Sequence, residues 1–183
     1  MGSSPKPRPN PLRAPWHDYR DPRWYFITFN TYHRRRHFGA ITPHGVKLNL
    51  LGHLAHNEWL RTMQLTPYAS FDAFVVMPDH MHVLVGLLPD QWHTSGSPRS
   101  VCLILQMFKA SVVRQARRAG LLGRGEPLWQ RSFHDRMVSD AEAISRIRTY
   151  IDRNPLKAAR RRIHGGGARS FTPPRSAPSA HPP

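Results

Sequence analysis

The chain has 183 residues, enough for one domain with a proper core and short for two. It carries 27 Lys and Arg against 11 Asp and Glu, a formal charge of +16, and such a surplus calls for an anionic partner: nucleic acid ahead of a membrane surface. No apolar run is long enough to span a bilayer, residues 1–15 lack the apolar core of a secretory signal, and the single cysteine, Cys102, excludes an internal disulfide and a cysteine-based zinc finger. The totals predict a soluble, intracellular, nucleic-acid-binding protein.

Residues 1–22, rich in proline and arginine, read as a disordered basic arm. The ordered domain is expected over 23–160, followed by a disordered basic Gly/Pro/Ser-rich tail over 161–183. Residues 23–31 (RWYFITFNT) predict a strand with Tyr25, Ile27 and Phe29 on one core face at period two. Thr42-Pro43 reads as a helix start, with Thr as N-cap, and Leu48, Leu51, Ala55, Trp59 and Met63 follow as one helical face. Strands over 70–77 and 80–87, separated only by Pro78-Asp79, make a tight hairpin.

After a loop containing Gly96, Ser97 and Pro98, a second helix buries Val101, Leu105, Phe108, Val112, Ala116 and Ala119. A glycine-rich turn over 120–127 leads to a short strand over 132–138. Ser139 and Glu142 form a capping-box signature for a third helix with Ile144, Ile147 and Ile151 as its buried stripe. Pro155 is expected to end that helix. The order β-α-β-β-α-β-α predicts an α+β fold: a ferredoxin-like βαββαβ antiparallel sheet with an added C-terminal helix. Its second face is left open for a site or for the third helix.

Chemistry enters with His80-Met81-His82 on the third predicted strand. Side chains at i and i+2 point the same way, so both imidazoles can converge on one cation, while Met81, Val83, Val85 and Leu87 face the helices. An H-x-H triplet also arises by chance in a chain with 12 histidines. Tyr150 and Asn154, four apart on the third helix, can bring a phenol and a neutral oxygen ligand to that pair. A phosphate oxygen would fill an open position on the ion, and a tyrosine nucleophile suits strand transfer because the phosphotyrosine conserves the bond for rejoining. Arg146, one turn earlier, is a candidate to activate the phenol. Against this stand plain readings: a helical tyrosine is usually packing, and Asn before Pro is a common helix terminator.

Three segments in order, FVVMPDHMHVLV, LWQRSFHDRMV and YIDRNPLKA, resemble the REP-associated tyrosine transposases, relatives of the single-tyrosine HUH transposases and nucleases. The resemblance covers about residues 24–160 and implies an HUH nuclease using Mg²⁺ or Mn²⁺ on single-stranded DNA. Carried over by motif, His80 and His82 would be metal ligands, with Asn154 as the third where related enzymes often have Gln. Tyr150 would be the nucleophile, joined to a 5′-phosphate with a free 3′-hydroxyl left behind. The implied substrate is a short imperfect palindrome folded as a hairpin, with a guide-like tetranucleotide at its foot. The resemblance also implies a monomer, although related transposases are dimers that exchange the tyrosine helix.

Expected phosphate contacts are Arg34, Arg35 and Arg36 after the first strand, Arg114, Arg117 and Arg118 on the second helix, Arg131, and Arg160, Arg161 and Arg162. Trp129 and Phe133 flank Arg131 and would either stack an unpaired base or belong to the core. The alternative readings are a non-catalytic single-stranded or hairpin nucleic-acid-binding protein, a nuclease that activates water, and a structural zinc site completed by a histidine such as His134.

Overall fold

A computed structural model describes residues 19–88 and 100–163; the loop around Gly96, Ser97 and Pro98 and most of both arms lie outside these residues. Strand β1 (Trp24–Asn30) leads to a two-stranded hairpin, β2 (Gly39–Thr42) and β3 (Gly45–Leu48), then helix α1 (Leu50–Gln64). Strands β4 (Ala69–Met77) and β5 (His80–Leu87), helix α2 (Val101–Arg118), strand β6 (His134–Val138) and helix α3 (Ala141–Ile163) complete the order. The main sheet is antiparallel in the order β4-β5-β1-β6, the ferredoxin-like arrangement expected.

Alternation along β1 and β5 divides the molecule into layers. Tyr25, Ile27 and Phe29 of β1 and Met81, Val83 and Val85 of β5 are fully buried against α1 and α2. Trp59 of α1 sits centrally there, edge-on to Phe71 and Phe108 at centroid distances of 5.6 and 5.1 Å. The opposite face, bearing Phe26 and Leu84, is covered by Ala143, Ile147 and Ile151 of α3 together with Val138. The sheet face left open by the first six elements is therefore closed by the third helix. A bulge in β4 between Phe71 and Phe74 puts both rings on the α1 side and turns Asp72 toward α3, where Arg148 grips it with Nε at 2.7 Å and Nη2 at 2.5 Å.

Several expectations are corrected. Thr42-Pro43 does not start α1; it opens the turn of the β2–β3 hairpin. Thr42 Oγ1 accepts the His44 N–H at 3.3 Å and donates to the Gly45 carbonyl at 3.1 Å, with Gly45 at φ 128°. A proline followed two residues later by glycine suits a tight turn as well as a first helical turn, and strand pairing decides between them. The real N-cap is Asn49, whose Oδ1 accepts the Gly52 N–H at 2.9 Å. Glycine is needed at 52 because a Cβ there would lie 2.1 Å from the Phe38 carbonyl oxygen. Ala119 is the exposed C-cap of α2 and lies outside its buried stripe. The cap of α3 is Asp140, whose carboxylate accepts the Ala143 N–H at 2.6 Å, one residue beyond the Ser139 expected.

Pro155 lies inside α3 and does not end it. The proline forfeits the N–H bond to the Ile151 carbonyl, but the following turns are held from outside. A Cβ built on Gly45 would lie 3.7 Å from Pro155 Cβ, Ala159 is buried, and the Arg162 guanidinium donates to the Ile41 carbonyl. Residues 161–163, assigned to the tail, are helical, and Tyr19, assigned to the basic arm, is core. Its hydroxyl donates to Asp135 Oδ1 at 2.9 Å and its ring packs edge-on to Phe133. Phe133 is itself buried, and Trp129 packs on Phe29, Phe38 and Phe108 while donating its indole N–H to the Lys109 carbonyl, so both aromatics serve the core.

Trp59→Ala empties the centre of the main layer, and urea unfolding is expected to show a loss of about 3–5 kcal/mol. A loss below about 1 kcal/mol would place Trp59 outside the core.

Candidate metal and tyrosine site

The antiparallel register of β1 on β5 places Thr28 opposite His82 and Asn30 opposite His80, all on the α3 face. Both imidazoles are held through Nδ1: His80 by Asp79 Oδ1 at 2.6 Å, His82 by Thr28 Oγ1 at 2.7 Å. Their Nε2 atoms consequently face each other, 3.1 Å apart. Two metal–imidazole bonds of about 2.1 Å at a right angle would separate the nitrogens by about 3 Å, so the pair fits a shared divalent ion. Hydrogen bonding of the second ring nitrogen to a carboxylate or hydroxyl is the usual support of a metal-binding histidine.

His82 is not on an open face: it is only 3% exposed, stacked on Phe26 at 5.4 Å and edge-on to Tyr150 at 5.4 Å. Burial above all, then the charges of His80 and Arg34, hold its pKa well below the ordinary histidine range, against the opposing pull of Asp79. The ring is therefore neutral, the form that ligates a metal. His80 lies nearer the surface, with 13% of its side chain exposed. Asp79 is held low by its hydrogen bond to His80 and by the charges of His80 and Arg34, which outweigh the upward push of burial.

Tyr150 projects from the middle of α3, and its hydroxyl lies 3.5 Å from His82 Nε2. Burial raises its pKa above the usual tyrosine value, while the hydrogen bond from Asn154 and the positive charges of Arg161 and Arg34 pull it down. Lys157, which the sequence reading passed over, carries its ammonium 5.4 Å from the centre of the Tyr150 ring. Arg146 does not join this group; it pairs with Glu142 on the exposed side of the helix.

Of the other arginines, Arg34 reaches the site: its Nη1 donates to Asn30 Oδ1 at 2.8 Å and its Nε lies 3.0 Å from Asp79 Oδ2. Arg35 and Arg36 follow it, exposed, and Arg131 is exposed next to Gln130, whose N–H binds the Asn30 carbonyl. Arg160, Arg161 and Arg162 occupy the last turns of α3. Arg114, Arg117 and Arg118 lie on the exposed side of α2, in the layer on the other side of the sheet from the histidines. Asp79, Thr28 and Asn30 were not singled out from sequence. Asp79 was readable as a carboxylate adjoining the first histidine, and Thr28 and Asn30 as the polar alternation of β1, but their partners depend on strand register. His134 is exposed on β6, and among the described residues no group of three or more His, Cys, Asp and Glu side chains converges on a metal position.

The neutral state of His82 has a consequence of definite sign. Unfolded, the ring takes up a proton near pH 6.5; folded, it resists, so the metal-free protein loses stability as pH falls through that value. His82→Gln is expected to flatten the slope of unfolding free energy between about pH 7.5 and 5.5, measured in chelator, by up to one proton. An unchanged slope would mean that the ring is not held neutral.

No family model matches the chain. An uncharacterized protein of Haemophilus influenzae is 26% identical over 159 residues, 79% of this chain and 87% of that protein. Among solved structures, a REP-associated tyrosine transposase bound to a REP hairpin matches with a TM-score of 0.55 and 18% identity, over 85% of this chain and 76% of that one. The chain thus shares the fold of a REP-associated tyrosine transposase, the family its three motifs resemble.

Proposed function

We propose that the protein is a REP-associated tyrosine transposase-like enzyme: a metal-dependent transesterase that binds a DNA hairpin, cuts the adjoining single strand through Tyr150 and rejoins it. The observation that carries this reading is the meeting of the Tyr150 hydroxyl with two histidine Nε2 atoms, 3.5 Å from one that is itself 3.1 Å from the other. The fold likeness to a transposase bound to a REP hairpin supports the substrate class. The charge of +16 supports it independently.

His80 and His82 would hold Mg²⁺ or Mn²⁺ through Nε2, with the Asn154 carbonyl oxygen as third ligand. The bound ion would polarise a phosphate oxygen of the scissile bond. Tyr150 Oη then bonds to phosphorus as the P–O3′ bond breaks; the phenolic proton passes to solvent and the 3′-oxygen takes one up. Attack of a 3′-hydroxyl on the phosphotyrosine reverses the step with no external energy source. Lys157 and Arg161 offset charge beside the phenol and the phosphate, and Arg35, Arg36, Arg131 and Arg160 extend a basic surface for the strand, with the α2 arginines as more distant contacts. Tyr150 reaches His82 within a single chain, an arrangement that requires no second copy. The basic arms would add non-specific DNA affinity to the catalytic domain, consistent with a nucleoid-associated, cytoplasmic protein. No helix among the described residues is long and apolar enough to cross a membrane.

Incubated with labelled hairpin DNA bearing a single-stranded extension and Mn²⁺, the protein is expected to give a covalent adduct on a denaturing gel. Tyr150→Phe and His82→Ala should both abolish it. An adduct that survives Tyr150→Phe refutes the nucleophile, and cleavage without any adduct points to activated water. Bound DNA that denaturant always releases uncut would mark a non-catalytic binding protein. Affinity for the hairpin should fall with salt at a log–log slope of about −0.7 to −0.9 per phosphate contact.

A further inference from the structure

The segment after β1 is built in an unusual way. His33 and Arg34 both have left-handed backbones, with φ of 51° and 55°, although neither is glycine. Such a conformation persists where its surroundings over-determine it. The Thr31 N–H binds the Asp79 carbonyl at 3.0 Å, and the Thr31 hydroxyl lies 2.9 Å from that same carbonyl and 2.7 Å from that of Arg35. The turn is thereby tied to the β4–β5 hairpin at the residue preceding His80. Its effect is to swing the Arg34 guanidinium back over the strand ends, to Asn30 and Asp79, with 49% of the side chain still exposed; Arg35 and Arg36 are exposed as well.

We propose that Arg34 is a positioning residue of the metal centre, distinct in role from the neighbouring arginines that serve DNA. The guanidinium bridges Asn30 Oδ1 and Asp79 Oδ2, and the other oxygen of the same carboxylate holds His80 Nδ1. The fork fixes the carboxylate plane, the carboxylate fixes the His80 ring, and the ring then aims Nε2 at its counterpart on His82. His82 is immobilised by burial, so His80, the more exposed of the two, is the ligand that needs this support. The seat for the ion is thus preformed before DNA arrives.

The inference rests on the metal-centre reading, and direct Mn²⁺ binding separates the two. Isothermal titration of Mn²⁺ into the DNA-free full chain is expected to show one site in the wild type. Arg34→Gln should weaken it about tenfold, the usual cost of losing a group that orients a ligand. Arg34→Lys keeps the charge but not the fork and should fail to restore it; this variant decides if Arg34→Gln melts early. Because Arg34 acts through Asp79, the double variant with Asp79→Asn should bind no more weakly than Asp79→Asn alone. Arg35→Gln should leave Mn²⁺ affinity unchanged and weaken hairpin binding measured in chelator. Unaltered Mn²⁺ affinity in both Arg34 variants, or full restoration by lysine, would overturn the positioning role. A wild type that binds no Mn²⁺ would overturn the metal centre and this inference with it.

Discussion

The pairing of β1 with β5 is the constraint on which the site depends. Its register sets Thr28 against His82 and Asn30 against His80, so the strand that fills one face of the sheet with Tyr25, Ile27 and Phe29 supports the histidines on the other. A slip of one residue would send Thr28 and Asn30 into the apolar layer and present Ile27 and Phe29 to the imidazoles. The register cannot drift, because Tyr25, Ile27, Phe29, Met81, Val83 and Val85 are all fully buried against α1 and α2. Apolar packing on one face thereby determines polar geometry on the other.

Helix α3 builds the second half of the site on that floor. Ile147 and Ile151 seat it on Phe26 and Leu84, and the Arg148 fork on Asp72 ties it to the bulged edge strand. Tyr150, between these anchors in sequence, reaches His82 because the residues on either side of it are held. Beyond Pro155 the helix needs external support, and the β2–β3 hairpin provides it through Gly45 and the Ile41 carbonyl. A hairpin inserted between the first strand and the first helix therefore helps to present Arg161 and its neighbours near the phenol.

Much of the fold was legible because its signals are local. The period-two run of β1, the Pro78-Asp79 hairpin and the helical stripe of α2 each depend on residues close in sequence. Where local signals conflict, pattern alone does not decide: Thr42-Pro43 satisfies a helix start and a turn equally, and Pro155 is a terminator unless a neighbouring element holds the next turns. Trp129 and Phe133 could be assigned to core or to base stacking only once their surroundings were known.

The sequence by itself determined which groups are available: a histidine pair with common orientation, a tyrosine and an amide one helical turn apart, and a large excess of positive charge. Backbone periodicity alone places such groups on shared faces. Only the tertiary structure decided that these two sets meet, that His82 is buried and neutral, that Asp79 and Thr28 orient the rings, and that the Arg34 guanidinium bridges Asn30 and Asp79. Those outcomes depend on strand register, on the docking of α3 and on a left-handed turn held from the neighbouring hairpin. Each joins residues distant in the chain, where no local pattern specifies the partner.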